Sequence, residues 1–234
     1  MSIEVTAFTD TGLVRDHNED ALLVGAWSCQ AATGSVVHMR FGDDVPFVAA
    51  VADGMGGHAG GELASRLALS VIADIAPGWA GPDDVADGLQ HANDQVHQVG
   101  QNPELLGMGT TIAGVCAFAD QVVVFNVGDS RVYGISDGVL QQLSVDDALL
   151  DDQGRPTHRI TQALGQRMPV DPHLTVQPRG GTAYLVCSDG VSGMMSDEAL
   201  RDAVTGPSPA ETIIEATRKA GAQDNFSFLL ISLD

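Results

Sequence analysis

Short apolar, β-branched runs, each stopped by Gly, Pro, Asn or Asp, recur along almost the whole chain, and a sequence punctuated this often is committed to sheets. They cover Ile3 to Thr9, Ala21 to Trp27, Phe47 to Ala52, Thr110 to Phe118, Val122 to Val127, Arg131 to Ile135, Val139 to Leu143, Thr182 to Cys187 and Phe226 to Leu233. Asp137-Gly138 between two of them predicts a tight hairpin. Helical periodicity replaces this pattern in Gly61 to Ile75, where Leu63, Leu67, Val71 and Ile75 fall at four-residue steps, and in Val85 to Val99, with Leu89, Val96 and Val99. Ser196 to Val204 and Ser208 to Ala220 each open on a Ser suited to cap a helix, the first followed by acidic Asp197 and Glu198. Strands, two helices, more strands, two helices and a last strand do not alternate as a parallel doubly wound sheet requires, so mixed layers around antiparallel sheets are expected. We expect one domain over residues 1–234, with Val145 to His158 a long, irregular, mobile polar loop.

Charge narrows the function classes. Acidic residues number 31 against 11 basic ones, a formal net charge of -20, which repels nucleic acid phosphates and removes them as a partner class. No stretch approaches the roughly 18 uninterrupted apolar residues of a membrane span, and no early segment has the form of a secretory signal, so a soluble protein with nothing removed is expected. Cys29, Cys116 and Cys187 are far apart and odd in number, which argues against a disulfide framework and a thiolate zinc site and points to the cytoplasm.

Most of these carboxylates read as solvated surface, but some stand in the wrong place for that. Asp53, Asp129 and Asp189 each follow an apolar run and precede Gly or Ser; Asp224 sits immediately before the last run; and Glu19 and Asp20 open another. One Asp-Gly at a strand end is ordinarily a turn. Several brought together in a partly dry cleft would repel one another too strongly to persist without cations, and hard oxygen ligands favour Mg²⁺ or Mn²⁺ over Zn²⁺ or Cu²⁺. The glycines of Asp53-Gly-Met-Gly-Gly-His-Ala-Gly-Gly61 suit the same picture, leaving room beside Asp53 for a backbone carbonyl or waters. They lack the Lys-Ser/Thr ending of a nucleotide-binding P-loop.

Taken together, Arg15-Asp-His-Asn-Glu-Asp20, Val51-Ala-Asp-Gly-Met-Gly-Gly57, Gly109-Thr-Thr111, Val127-Gly-Asp-Ser-Arg131, Ile160-Thr-Gln-Ala-Leu-Gly165, Ser188-Asp-Gly190 and Asp224-Asn225 resemble the motifs of the type-2C protein phosphatases, the metal-dependent PPM family, in their bacterial form and in family order. The resemblance implies an α+β fold: a four-layer α-β-β-α sandwich of two antiparallel sheets flanked by helix pairs, with metals in a cleft at one end. It implies two Mn²⁺ or Mg²⁺ ions bridged by Asp53, with the Gly54 carbonyl also a ligand. Asp189 and Asp224 would hold the first ion, and Glu19 and Asp20 would serve the second directly or through water. Asp129 with Asp189 matches a third, weaker site of bacterial members.

The activity so implied is hydrolysis of phosphoserine and phosphothreonine in proteins by a water shared between the two ions, opposing bacterial Ser/Thr kinases, with many relatives acting as monomers. Arg15 would grip the nonreacting phosphate oxygens with its planar fork of donors. The chain departs from the pattern in two places. Met55 replaces a His that some relatives use as the acid, leaving His17 and His58 as alternatives to a metal-bound water. Leu143-Ser-Val-Asp-Asp147 carries Asp147 where relatives have His, and a clipped flap follows, which touches substrate choice and third-metal occupancy. A catalytically silent, partner-binding homologue is the alternative; loss of a core carboxylate would favour it, and all are present.

Overall fold

The computed structural model describes residues 2–56, 59–150, 153 and 156–233. In chain order the strands are β1 (Ile3–Asp10), β2 (Asp20–Val24), β3 (Trp27–Cys29), β4 (Val37–Phe41) and β5 (Phe47–Met55), followed by helices α1 (Ala59–Ile75) and α2 (Pro82–Val99). The chain continues through β6 (Gly109–Thr110), β7 (Ile112–Ala117), β8 (Gln121–Val127), β9 (Arg131–Ser136), β10 (Val139–Gln142), β11 (Ala148–Leu150), β12 (Pro156–Ile160), β13 (His173–Pro178) and β14 (Ala183–Cys187). It closes with α3 (Asp189–Ser192), α4 (Asp197–Val204), α5 (Pro209–Lys219) and β15 (Phe226–Leu233).

Two antiparallel sheets result. One runs β10-β9-β14-β15-β1-β4; the other runs β13-β8-β7-β5-β2-β3, with β6 paired to the end of β5. Alternation along each strand divides the core into layers. On β5, Phe47, Ala49 and Val51 face the other sheet, where they meet Val5, Tyr184, Val186, Leu229 and Ile231. The intervening Val48, Ala50 and Ala52 face α1 and α2. On the far side, Phe8, Leu185, Phe226 and Phe228 pack beneath α4 and α5. The expected α-β-β-α order of layers is therefore the one observed. Among the described residues no helix is long and apolar enough to cross a membrane.

Several local expectations need correction. The run from Ala21 to Trp27 is broken by a turn at Gly25-Ala26, so that Val24 pairs with Trp27 across β2 and β3. Strands β4 and β13, with half-polar sequences, carried too weak an apolar signal to be expected. The face of α1 that lies on the sheet is Ala64, Ala68 and Ile72, all fully buried, while Leu63, Leu67, Val71 and Ile75 are only partly covered. Small residues let the helix approach closely, and the larger ones wrap its flanks. Val99 on α2 is likewise exposed, whereas Val85, Leu89 and Val96 are buried. The segment expected as one irregular loop contains the antiparallel pair β11–β12, with Ala148 opposite Ile160. The Asp137-Gly138 hairpin joins β9 to β10 as expected.

Candidate functional site

At one end of the sandwich the inward-facing row changes from apolar to polar without changing register. Beyond Ala7 on β1 the next inward position is Thr9; before Leu22 on β2 it is Asp20; after Val51 on β5 it is Asp53. Before Ala113 it is Thr111, after Val186 it is Ser188, and before Leu229 it is Ser227. Each residue thus reaches the same plane because period-two alternation carries it there. Asp20 and Asp53 are direct cross-strand partners.

Hydrogen bonds tie this polar end together. Ser188 Oγ donates to Asp20 Oδ2 at 2.7 Å and accepts the Ser227 N–H at 3.1 Å. Thr111 Oγ1 accepts the Asp53 N–H at 3.2 Å and lies 2.7 Å from Ser130 Oγ. Asn225 is a hub: its Oδ1 accepts the Glu19 N–H at 2.8 Å, and its Nδ2 donates to the carbonyls of Thr11 and His17, each at 2.9 Å. One buried side chain therefore fixes both ends of the loop that carries Arg15.

Asp189 is the first residue of α3 rather than the last of β14, with Ser188 at the N-cap position. A methyl group on Gly190 would stand 1.9 Å from the Asn225 carbonyl oxygen, so only glycine allows the start of α3 to meet the start of β15 and bring Asp189 beside Asp224. Gly54 is constrained similarly: a Cβ there would lie 2.1 Å from the Gly61 carbonyl oxygen and 2.8 Å from that of Glu19. Close contact with the start of α1 and with the residue before β2 thus requires glycine here, in addition to the room beside Asp53 expected from sequence.

The charges meet electrostatically. Burial first, and then the neighbouring Asp20, Asp189, Asp224 and Asp129, hold the Asp53 carboxyl well above the ordinary carboxylate range. Asp53 keeps some solvent contact along the cleft yet lies deep among protein atoms. Burial pushes Asp20 up to about 7 against opposing hydrogen bonds from Ser227 and Ser188, with Asp189 and Asp224 adding to the rise. Asp129 is pushed up to about 6, by burial and then by Asp189. Arg15 Nη2 donates to Asp224 Oδ2 at 2.7 Å across an exposed surface. His17 lies between Asp16 and Glu19, the nearer contact being to Asp16, and its imidazole is held above its ordinary value chiefly by that hydrogen bond. His58 lies outside the described residues.

Divalent cations fit these donors. Asp20 Oδ1 is buried with no hydrogen-bond partner among the described residues, a cost that a cation would remove. The side chains do not by themselves enclose an ion: among the described residues no trio of His, Cys, Asp or Glu closes into a compact cage. They form instead an open set around a cleft, and a cavity of about 270 Å³ beside it is lined by Asp129, Asp189, Asp224, Arg131, Asp146 and Met194, among others. Asn225, Thr111 and Ser188 entered from sequence only as members of motifs, with no role of their own; continuing the inward alternation by one position places the last two at the site.

The profile of the family described as protein phosphatase 2C matches residues 27–226. The chain belongs to that family. Among protein phosphatase 2C relatives, PstP of Mycobacterium tuberculosis, a serine/threonine protein phosphatase, is 33% identical over 97% of this chain. The chain spans only 44% of that relative's length. PhpP of Streptococcus pneumoniae, a protein phosphatase, is 28% identical over 99% of this chain and 98% of its own. The solved catalytic domain of PstP, in complex with 2 manganese ions, superposes with a TM-score of 0.79 at 33% identity, covering 100% of both chains.

Proposed function

We propose that residues 1–234 form one catalytic unit that hydrolyses phosphoserine and phosphothreonine in proteins. The observation that carries this reading is the convergence of Asp20, Asp53, Asp129, Asp189 and Asp224 on one end of the sandwich, where burial first and then the other four carboxylates raise Asp53. When bound, a pair of Mn²⁺ or Mg²⁺ ions supplies Lewis acidity that activates water and offsets phosphate charge. Asp53, central among the carboxylates, would serve both ions together with the Gly54 carbonyl; Asp189 and Asp224 would hold one, Glu19 and Asp20 the other. Asp129 with Asp189 would hold a third ion more weakly. Arg15 exchanges its contact with Asp224 for the nonreacting oxygens of the phosphate, which accept its paired N–H groups.

The partners that follow are phosphorylated proteins, in opposition to Ser/Thr kinases. The protein acts as a monomer in the cytoplasm, a compartment that suits three cysteines in the free form. The silent, partner-binding alternative has no missing carboxylate in its favour.

The test is hydrolysis of p-nitrophenyl phosphate and a phosphothreonine peptide by the purified protein. Activity should require Mn²⁺ or Mg²⁺, disappear with chelator and disappear in Asp53→Ala. Activity that survives exhaustive chelation would overturn the proposal.

A further inference from the structure

Asp146 and Asp147, in the segment between β10 and β11, grip both ends of the turn that carries Asp129. The Asp147 N–H donates to the Gly128 carbonyl at 3.0 Å, and Asp147 Oδ2 accepts the Gly128 N–H at 2.8 Å. At the other end of the turn, Arg131 donates to the Asp146 carboxylate from Nη2 at 2.7 Å and from Nε at 3.0 and 3.1 Å. One residue earlier, Asn126 Nδ2 donates to the Val145 carbonyl at 2.7 Å and its Oδ1 accepts the Val145 N–H at 3.1 Å.

The rest of Asp147 reaches outward. Its Oδ2 also accepts from Gln162 Nε2 at 3.1 Å, its Oδ1 lies 2.9 Å from His173 Nε2, and its carbonyl accepts the Thr161 N–H at 2.7 Å. One largely buried carboxylate thus joins the Asp129 turn, the base of β11–β12 and the first residue of β13. A solvated surface acid would use few of these acceptor positions.

We propose that Asp147 is a positioning residue which, with Asp146, holds the Gly128–Arg131 turn so that the Asp129 carboxylate faces Asp189 across the cleft. The inference rests on the proposed reading of that cleft as a Mn²⁺ or Mg²⁺ site. Asp147 acts through the Gly128 amide and meets neither substrate nor ion. Its removal frees the Gly128 end of the turn and lets Asp129 shift, while Arg131 stays on Asp146 and Asp53, held by β2, β6 and Thr111, keeps its place. The affected property is therefore the weaker ion position.

The experiment is isothermal titration of the metal-stripped, folded protein with Mn²⁺, alongside kinetics on a phosphothreonine peptide. In Asp147→Ala the weakest class of Mn²⁺ site should bind about tenfold or more weakly, the usual effect of losing a partner behind a ligand, with the tight class unchanged. The peptide KM should rise while kcat at saturating Mn²⁺ holds. Asp147→Asn, whose carbonyl oxygen still accepts from Gly128 and Gln162, should restore most of the weak-site affinity. If Asp147→Ala does not fold, the double variant Gln162→Ala with His173→Ala, which leaves the Gly128 contact, should shift the same weak class by a smaller factor. An unchanged weak class in whichever of these variants folds, a wild-type isotherm without a weak class, or parallel weakening of every site with a lower melting temperature would overturn the proposal. Wild-type protein that binds no Mn²⁺ would sink the reading of the cleft as well.

Discussion

Asp20 and Asp53 stand directly opposite each other across the β2–β5 pair, each continuing an otherwise apolar inward row. Like charges in that position destabilise a sheet, and burial deepens the cost. Fold stability and site chemistry are therefore opposed at this pair, which gives the protein a measurable signature.

The signature appears in pH dependence without metal. Burial pushes Asp20 up to about 7 in the folded chain, far above an unfolded aspartate, and Asp129 up to about 6. Between the unfolded and folded values the native state binds more protons, so its stability is fullest below the unfolded pKa and is lost as pH rises through the folded one. Chelator-treated protein should show a falling melting temperature from acidic to mildly alkaline buffer, and Mn²⁺ should raise it more at the alkaline end. A flat or rising profile for the metal-free protein would contradict this.

Relieving the repulsion should stabilise and inactivate together. Asp53→Asn keeps the shape of the side chain but removes the charge that Asp20, Asp189, Asp224 and Asp129 oppose. In chelator it should melt higher than wild type, while activity with Mn²⁺ falls by more than about 100-fold, the upper end for partners merely behind a ligand. Differential scanning calorimetry and p-nitrophenyl phosphate turnover give the two readings. A variant less stable than wild type in chelator would remove the electrostatic argument.

Arg15 separates geometry from charge. Its pair with Asp224 is exposed, so Arg15→Ala should change stability by less than about 1 kcal/mol in chemical denaturation. The same variant should lose about 10²- to 10³-fold in kcat/KM if the guanidinium holds developing phosphate charge. Arg15→Lys should recover only part, because an ammonium cannot offer two parallel donors. Full recovery by Lys would show that charge alone matters.

What was legible in the sequence follows the strength of periodicity. Strands such as β5 and β8 read clearly because both faces are buried and the runs Phe47 to Ala52 and Val122 to Phe125 are wholly apolar, whereas β4 and β13 lie at sheet edges and alternate with polar residues. The α1 register misled because branched side chains dominate a hydrophobic count, while close packing on a sheet selects Ala64 and Ala68. At the site, Asp53, Asp129 and Asp189 were visible as acids ending apolar runs. The clamp built by Asp146 and Asp147 was not, because its partners Gly128, Gln162 and His173 come from separate segments and are ordinary one by one.

Asn225 offers the sharpest test of how the fold supports the site. Buried at 4% exposure, it satisfies the Glu19 amide and the Thr11 and His17 carbonyls, and so holds together the loop of Arg15, the start of β2 and the start of β15. Asn225→Ala strands those backbone groups, each worth about 1 to 3 kcal/mol when buried and unpaired, although water entering the gap offsets part of the loss. A net destabilisation of about 3 kcal/mol is expected from urea unfolding. Asn225→Asp should be worse than Ala at neutral pH and without metal, because its second oxygen faces two carbonyls and adds a charge beside Asp224. Acidification should then narrow the gap between the two variants, since protonating the new carboxyl restores a donor and removes the charge. If Asp is the milder substitution at neutral pH, the Nδ2 contacts to Thr11 and His17 are not what holds this loop.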